Sequence, residues 1–309
     1  MSQSRSPIIL THEQQQSMMR FERTLSQMRS PHSGGAIAYA GTSGSYAEEA
    51  ALRFFGTDSL CIAHKTFEDV FKSITGGGCD YGVLPIENTS TGSITAVYDL
   101  LAKYRAAIVG EISIAIRHCL LGNQGASLTD IQSVYSHEQG FAQSQAFLSQ
   151  YPQWLHVAYH NNTAVAAKMV HASGDRHKAA IASRRAAKIH GLQILAADIN
   201  SSDLNTTRFV VVSREAERRP YCNKISLMFQ LPHTEGALYH LLGIFNTYHL
   251  NMTKIESRPI PGTQWRYRFF LDFIGLDDES ELPELMRQVM DATQSFYFLG
   301  NYPANTIVH

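Results

Sequence analysis

Between Ile37 and Ser213, short apolar runs alternate with stretches whose apolar residues recur at helical spacing. That alternation constrains the fold more than any other feature of the chain. The strand candidates are Ile37 to Ala40, Tyr81 to Pro85, Ala107 to Ile116, Ile131 to Tyr135, His156 to Tyr159, Ala179 to Ala182 and Phe209 to Ser213. Helical patterns lie between them, among them Tyr46 to Phe55, Phe67 to Ile74 and Thr163 to His171. Strand–helix alternation of this kind implies an α/β fold, with parallel sheets covered by helices. Ligands of such sheets bind beyond the carboxyl ends of the strands.

The polar motifs fall on those ends. Asn205-Thr206-Thr207-Arg208-Phe209 reads as a loop-to-strand junction that puts a hydroxyl pair and a cation ahead of an apolar strand. Neighbours on a strand face opposite ways, so Thr207 and Arg208 diverge if the strand has already begun. Asn88-Thr89-Ser90 follows the strand Tyr81 to Pro85 and supplies neutral donors. Glu87 beside them would repel an anion and is read as bonding backbone or a neighbour. Ser43-Gly44-Ser45 precedes the helix from Tyr46, and Asn162-Thr163 precedes the helix from Ala164. Free N–H groups at a helix start attract anions, and two such starts would grip a dicarboxylate. The competing reading is a pair of ordinary N-caps. Ser136 and His137 follow the strand Ile131 to Tyr135; His137 is an acid candidate or a structural histidine.

Outside this region the pattern changes. Thr11 to Arg29 reads as one amphipathic helix with a capping box from Thr11 and Gln14, broken by Pro31 to Gly35. Glu215 to Arg219 followed by Pro220 reads as a charged linker. Beyond it come strand (Lys224 to Leu231), helix (Glu235 to Thr247), strands (Met252 to Arg258, Tyr267 to Ile274), helix (Glu281 to Thr293) and strand (Phe296 to Leu299). That βαββαβ order is the ferredoxin-like plan. The domains expected are therefore 1–35 (arm and linker), 36–214 (α/β) and 224–303 (βαββαβ).

Composition excludes several function classes. A net charge of −1 and the lack of a Lys/Arg run argue against nucleic acid as a partner. No apolar run reaches the ~20 residues of a membrane span, and residues 1–6 lack the apolar core of a secretion signal. Cys61, Cys79, Cys119 and Cys222 are far apart, which suits reduced thiols in the cytoplasm. His64, His118 and His160 show no metal-ligand spacing, and neither a metal nor a cofactor is expected.

The motifs Gly41-Thr42-Ser43-Gly44-Ser45-Tyr46, Pro85-Ile86-Glu87-Asn88-Thr89, Ser136-His137-Glu138-Gln139 and Thr207-Arg208-Phe209 occur in that order. Gly236-Ala237-Leu238 and Glu256-Ser257-Arg258-Pro259 follow. Together they resemble the prephenate dehydratase family with a C-terminal ACT domain, from about Ala36 to Pro303. Thr42 and Ala47 depart from the family's usual Pro and hydroxyl residue, and Glu138 replaces its Pro. The resemblance implies decarboxylating dehydration of prephenate to phenylpyruvate, in phenylalanine biosynthesis, with no cofactor. It also implies two lobes like a periplasmic binding protein, 36–114 with 200–214 and 115–199. It makes Thr207 the catalytic donor. Ser43, Gly44, Ser45, Asn88, Thr89, Ser90, Ser136, His137, Thr163, Arg208 and Phe209 become substrate contacts, with Phe209 mainly packing. Arg208 either binds a carboxylate or pins the lobes. Gly236, Ala237, Leu238 and Glu256 to Pro259 become a phenylalanine pocket across the interface of a homodimer or homotetramer. An arm of ~20 residues is too small for the mutase domain of bifunctional relatives. Arogenate dehydratase and a non-catalytic amino-acid sensor are the rival readings.

Overall fold

The computed structural model describes residues 10–31, 34–159, 162–276, 278–304 and the backbone of 307–308. The chain opens with α1 (His12–Ser26), β1 (Ile37–Ala40), α2 (Tyr46–Phe55), β2 (Cys61–His64), α3 (Phe67–Thr75), β3 (Tyr81–Asn88) and β4 (Gly92–Ser93). It continues with α4 (Thr95–Tyr104), β5 (Ala107–Ala115), β6 (Cys119–Gly122), β7 (Ser133–Ser136), α5 (Glu138–Gln143), α6 (Gln145–Leu148), β8 (Leu155–Ala158), α7 (Thr163–Ser173) and β9 (Lys178–Ala182). Then come α8 (Arg184–His190), β10 (Gln193–Ala196), β11 (Thr206–Ser213), β12 (Lys224–Gln230), α9 (Ala237–Thr247), β13 (Asn251–Pro259), β14 (Tyr267–Ile274), α10 (Leu282–Asp291), β15 (Ser295–Tyr302) and β16 (Ile307–Val308). The described chain divides into two compact units: 34–97 with 112–211 and 305–309, and 1–33 with 98–111 and 212–304.

The first unit carries two sheets. One has the order β16-β5-β11-β3-β1-β2, with β4 paired to β3. The β1 strand pairs parallel with both β2 and β3, and its Ile37, Ala38 and Tyr39 are buried. Burial on both faces is why this strand reads as an unbroken apolar run. The second sheet has the order β10-β6-β9-β7-β8. Here the all-parallel expectation fails: β6 pairs antiparallel with β9 and with β10. The strands β6 and β10, like β2, are four residues long and are not among the strands expected from the sequence. Helices start where the sequence puts short polar caps: Ser45 on α2, Thr66 on α3, Asn162 on α7 and Ser183 on α8. Ala164, Ala166 and Ala167 of α7 pack on Ala180 and Ala182 of β9, and these small residues let helix and sheet approach closely.

The second unit is built on the antiparallel sheet β13-β14-β12-β15. This is the expected βαββαβ topology. Leu227, Phe229, Leu271 and Phe273 face Leu241, Phe245, Leu285 and Met286 of α9 and α10. The α1 helix joins the same core through Phe21, whose ring lies 5.2 Å from Phe298 and 6.5 Å from Phe296. The capping box at Thr11 and Gln14 forms. The Gln14 amide also donates to the carbonyls of Met290, Asp291 and Thr293, the unsatisfied C-terminal end of α10. The expected linker at Glu215 to Arg219 is instead packed. Glu217 is buried, its carboxylate 2.7 Å from Arg219 and 3.8 Å from Arg29, and Arg29 forms a β-bridge with Glu217. A charged run of this kind reads as solvated until its partner, 188 positions away in the sequence, is in place. His160 lies outside the described residues, as do positions 32 and 33 of the expected break.

Candidate active site

A cavity of ≈ 570 Å³ opens within the first unit, at the carboxyl ends of β1, β2 and β3, at the amino end of β11 and against the starts of α5 and α7. Its polar lining includes Ser45, Asn88, Thr91, His137, Gln139, Gln143, Thr163 and Thr207.

Thr207 sits inside β11, not ahead of it as the sequence suggested, because the strand begins at Thr206. Two β-branched residues extend it, and Thr89 fastens its start. The Thr89 amide donates to the Thr206 carbonyl at 2.9 Å, and the Thr206 amide donates to Thr89 Oγ1 at 3.0 Å. Strand alternation then decides the faces. Thr207 and Phe209 line the cavity, while Arg208 turns away and donates to Glu87 on β3 at 3.0 Å. Arg208 is therefore not among the residues that line the cavity. Glu87 takes up that cation.

Asn88 organises the corner of the cavity at Thr207. Its amide nitrogen donates to Thr207 Oγ1 at 2.9 Å and to Asn205 Oδ1 at 2.8 Å. Its carbonyl accepts from the amides of Ser90 and Thr91 at 2.9 and 3.2 Å. Thr207 thus receives one hydrogen bond and keeps its own proton for the cavity. A donor on Oγ1 polarises the O–H and stabilises the oxygen as the proton leaves. Thr89 and Ser90 do not line the cavity; they hold the turn and the start of β11.

Of the helix starts, Ser45 and Thr163 line the cavity, but Ser43 and Gly44 do not. The Gly44 amide and the Ser43 hydroxyl donate to Glu48 at 2.8 and 2.9 Å, and Arg185 reaches the same carboxylate at 3.1 Å. Burial alone would raise the Glu48 carboxyl; the Gly44 amide, Ser43 hydroxyl and Arg185 outweigh it and hold the group below its ordinary range. These donors serve Glu48 and are not available to a ligand. Gly44 has φ +88°, and a Cβ there would press on the Ala186 backbone at 3.0 Å, so glycine is required. Gly41 marks where the two helix starts meet. A Cβ on it would come within 3.0 Å of Ser45 Oγ and 3.3 Å of Asn162 Nδ2. The two starts therefore converge on one spot. Ser136 is buried and donates to the Ile181 carbonyl, a structural bond outside the cavity. His137 lines the cavity and caps α5 by accepting from the Gln139 amide at 3.2 Å.

Sequence reasoning missed Lys65, His118 and Gln143. His118 is 2% exposed, and burial pushes its pKa below the ordinary value. Its Nε2 lies 2.9 Å from Gln143 Oε1. With His118 Nε2–H as donor, the Gln143 amide nitrogen is left for other acceptors. Among the described residues no cluster of three or more His, Cys, Asp or Glu could hold a metal ion.

In the second unit a cavity of ≈ 360 Å³ lies at the start of α9, lined by His233 to Glu235, Ala237, Leu238 and Trp265 to Tyr267. Gly236 caps α9 with φ 75°. Glu256, Ser257, Arg258 and Pro259 do not line this cavity. Arg258 is held by Asp99 through two bonds of 3.0 and 2.8 Å, and Glu256 lies 3.7 Å from Lys254.

Two α/β sheets framing a cavity lined by hydroxyl, amide and imidazole groups and one lysine make this an α/β protein with a candidate small-molecule site. The comparisons with known proteins agree. The family model "Prephenate dehydratase" matches residues 37–217. The bifunctional chorismate mutase/prephenate dehydratase of Escherichia coli (strain K12) is 36% identical over 288 residues, which is 90% of this chain and 73% of that protein. Prephenate dehydratase from Arthrobacter aurescens, solved in complex with L-Phe, is similar with a TM-score of 0.79 and 27% identity, over 87% of this chain and 90% of that one. GqqA, described as a novel type of quorum quenching acylase, is similar with a TM-score of 0.79 and 29% identity, over 87% of this chain and 98% of that one. The chain belongs to the prephenate dehydratase family.

Proposed function

We propose that the ≈ 570 Å³ cavity converts prephenate to phenylpyruvate, water and carbon dioxide, with Thr207 as the proton donor. The observation that carries this reading is the Asn88–Thr207 hydrogen bond of 2.9 Å at the cavity wall. As the ring carboxylate leaves as carbon dioxide, its bonding electrons enter the ring and expel the hydroxyl, and the ring becomes aromatic. The departing oxygen gathers negative charge and must take a proton to leave as water. The Thr207 O–H, polarised by Asn88, supplies that hydrogen bond and proton, and solvent restores it. Ser45, Thr163 and the amides of their helix starts supply neutral donors to a carboxylate. In this reading the two sheets are the two lobes of a periplasmic-binding-protein-like domain.

The βαββαβ unit acts as an ACT domain that binds L-phenylalanine at the ≈ 360 Å³ cavity beside Gly236, Ala237 and Leu238. The solved relative holding L-Phe supports this. Glu256 to Pro259 lie on β13, an edge strand. They meet such a pocket from a second copy of the chain, in a homodimer or homotetramer. Exposed Leu238, Tyr239, Ile255 and Trp265 suit that contact. The enzyme works in the cytoplasm; no helix among the described residues is long and apolar enough to cross a membrane.

Turnover of prephenate, followed as phenylpyruvate absorbance in base, tests the activity. It separates dehydratase from acylase and from a non-catalytic sensor, and arogenate in place of prephenate tests the analogue. Thr207→Ala is expected to lower kcat by roughly 10²-fold or more with little change in KM, and Thr207→Ser to retain appreciable activity. A folded alanine variant at the parent rate would remove Thr207 from the mechanism.

A further inference from the structure

Lys65 carries a charge that the reaction described so far does not use. It follows β2 directly and precedes Thr66, the N-cap of α3. Its side chain lines the cavity, and it is the one lysine or arginine among the described lining residues. No aspartate or glutamate is among them either. Arg208 and Arg185, the nearby alternatives, are paired with Glu87 and Glu48. No carboxylate among the described residues pairs with Lys65. Glu68, in the first turn of α3, pairs with Lys72 at 4.0 Å. The cavity therefore presents one uncompensated positive charge.

Its place in the sheet says which end of a substrate it meets. The strand order β11-β3-β1-β2 puts the Lys65 strand three positions from the Thr207 strand, roughly 14 Å at strand spacing. A hydroxyl leaving beside Thr207 is thus out of reach of Lys65, which faces the opposite end of the molecule. Prephenate carries both carboxylates at that end. The ring carboxylate loses its charge as carbon dioxide departs. A cation paired with it would stabilise the ground state over the transition state and slow the reaction. The side-chain carboxylate keeps its charge throughout, so a cation there binds substrate without opposing the chemistry.

We propose that Lys65 is a positioning and specificity residue that pairs with the side-chain carboxylate of a 2-oxo dicarboxylate. The inference rests on the dehydratase reading above. It has a second consequence. The 2-amino analogue places an ammonium beside the same carboxylate, and Lys65 repels it. Lys65 therefore favours prephenate over arogenate.

The test uses the full chain with Lys65→Met and Lys65→Arg. Lys65 is exposed, and substitutions at such positions leave stability nearly unchanged. Lys65→Met is expected to raise KM for prephenate roughly tenfold with kcat nearly unchanged, and Lys65→Arg to restore most of it. The difference should shrink in high salt. The ratio of kcat/KM for prephenate over arogenate should fall in Lys65→Met. Phenylpyruvate, which keeps only the side-chain carboxylate, should bind Lys65→Met roughly tenfold more weakly by calorimetry. Equal phenylpyruvate affinity in the parent and Lys65→Met would overturn the proposal, and so would a loss confined to kcat, which would place Lys65 at the reacting atoms. If the parent turned over no prephenate, the dehydratase reading would fall, while the phenylpyruvate titration would still decide the role of Lys65.

Discussion

The Asn88–Thr207 bond and the buried imidazole of His118 show what single side chains contribute. In the proposed mechanism the ordinary hydroxyl of Thr207 is activated by an amide nitrogen that Asn88's other bonds, to Asn205, Thr206, Ser90 and Thr91, hold in place. His118 is held neutral by burial, with its pKa lowered from 6.5. The unfolded chain takes up that proton first as the pH falls. Its stabilising contribution is therefore complete above 6.5 and is lost as the pH drops towards the folded value. Melting temperature should accordingly fall more steeply between about pH 7.5 and 5.5 in the parent than in His118→Gln. Parallel slopes would show that His118 does not titrate on unfolding. Glu48 acts in the same direction at lower pH, because its carboxyl is held below the ordinary value of 4.5. Thr42, where the family usually has proline, carries a buried hydroxyl with no partner. That is a local cost of the departure.

At the scale of elements, α1 works as part of a core. Phe21 is 2% exposed and Gln14 closes the end of α10. Deleting a buried aromatic ring from such a core costs about 3–5 kcal/mol. Phe21→Ala should lower the unfolding free energy of the unit by that amount, read as a lower denaturant midpoint, and an unchanged midpoint would mean that α1 does not dock in solution. The α9 start is the complementary case. Gly236 adopts φ 75° with open space around its missing Cβ. Gly236→Val therefore strains the backbone of the proposed phenylalanine pocket without a steric clash. It is expected to abolish the response to phenylalanine while prephenate turnover persists. Full inhibition of that variant by phenylalanine would move the effector elsewhere.

Over the whole molecule, the sequence order and the compact units disagree. Residues 98–111 lie inside the span matched by the family model, yet they cluster with 212–304. Lys224 of β12 is buried 2.8 Å from Glu111 and 3.8 Å from Asp272, and Ser226 bonds Asp272 and Tyr302. Tyr98 packs edge-on against Phe270 at 4.9 Å. A chain cut at Arg214 would strand Glu111 and Tyr98, so it should fold poorly. Lys224→Met leaves two buried carboxylates without their cation and should cost about 3–5 kcal/mol. Adding Glu111→Gln should recover part of that loss, measured by chemical unfolding of the single and double variants.

The sequence by itself determined the α/β alternation, the βαββαβ order, the helix caps at Thr11, Ser45 and Asn162, and the motifs that carry the family. Each is written in periodicity or in adjacent residues, where local geometry suffices. Only the tertiary structure decided which donors meet the cavity. Thr207 and Arg208 were separated by the register of β11, which depends on Thr89, over a hundred residues earlier. Ser43 and Gly44 went to Glu48, the Thr89 hydroxyl to the Leu204 carbonyl and the Ser90 amide to the Asn88 side chain. Lys65 and His118 entered from the residue after a four-residue strand and from a segment with no motif. Such choices depend on which buried polar groups find partners, and partners distant in sequence are settled by the packing of the sheets.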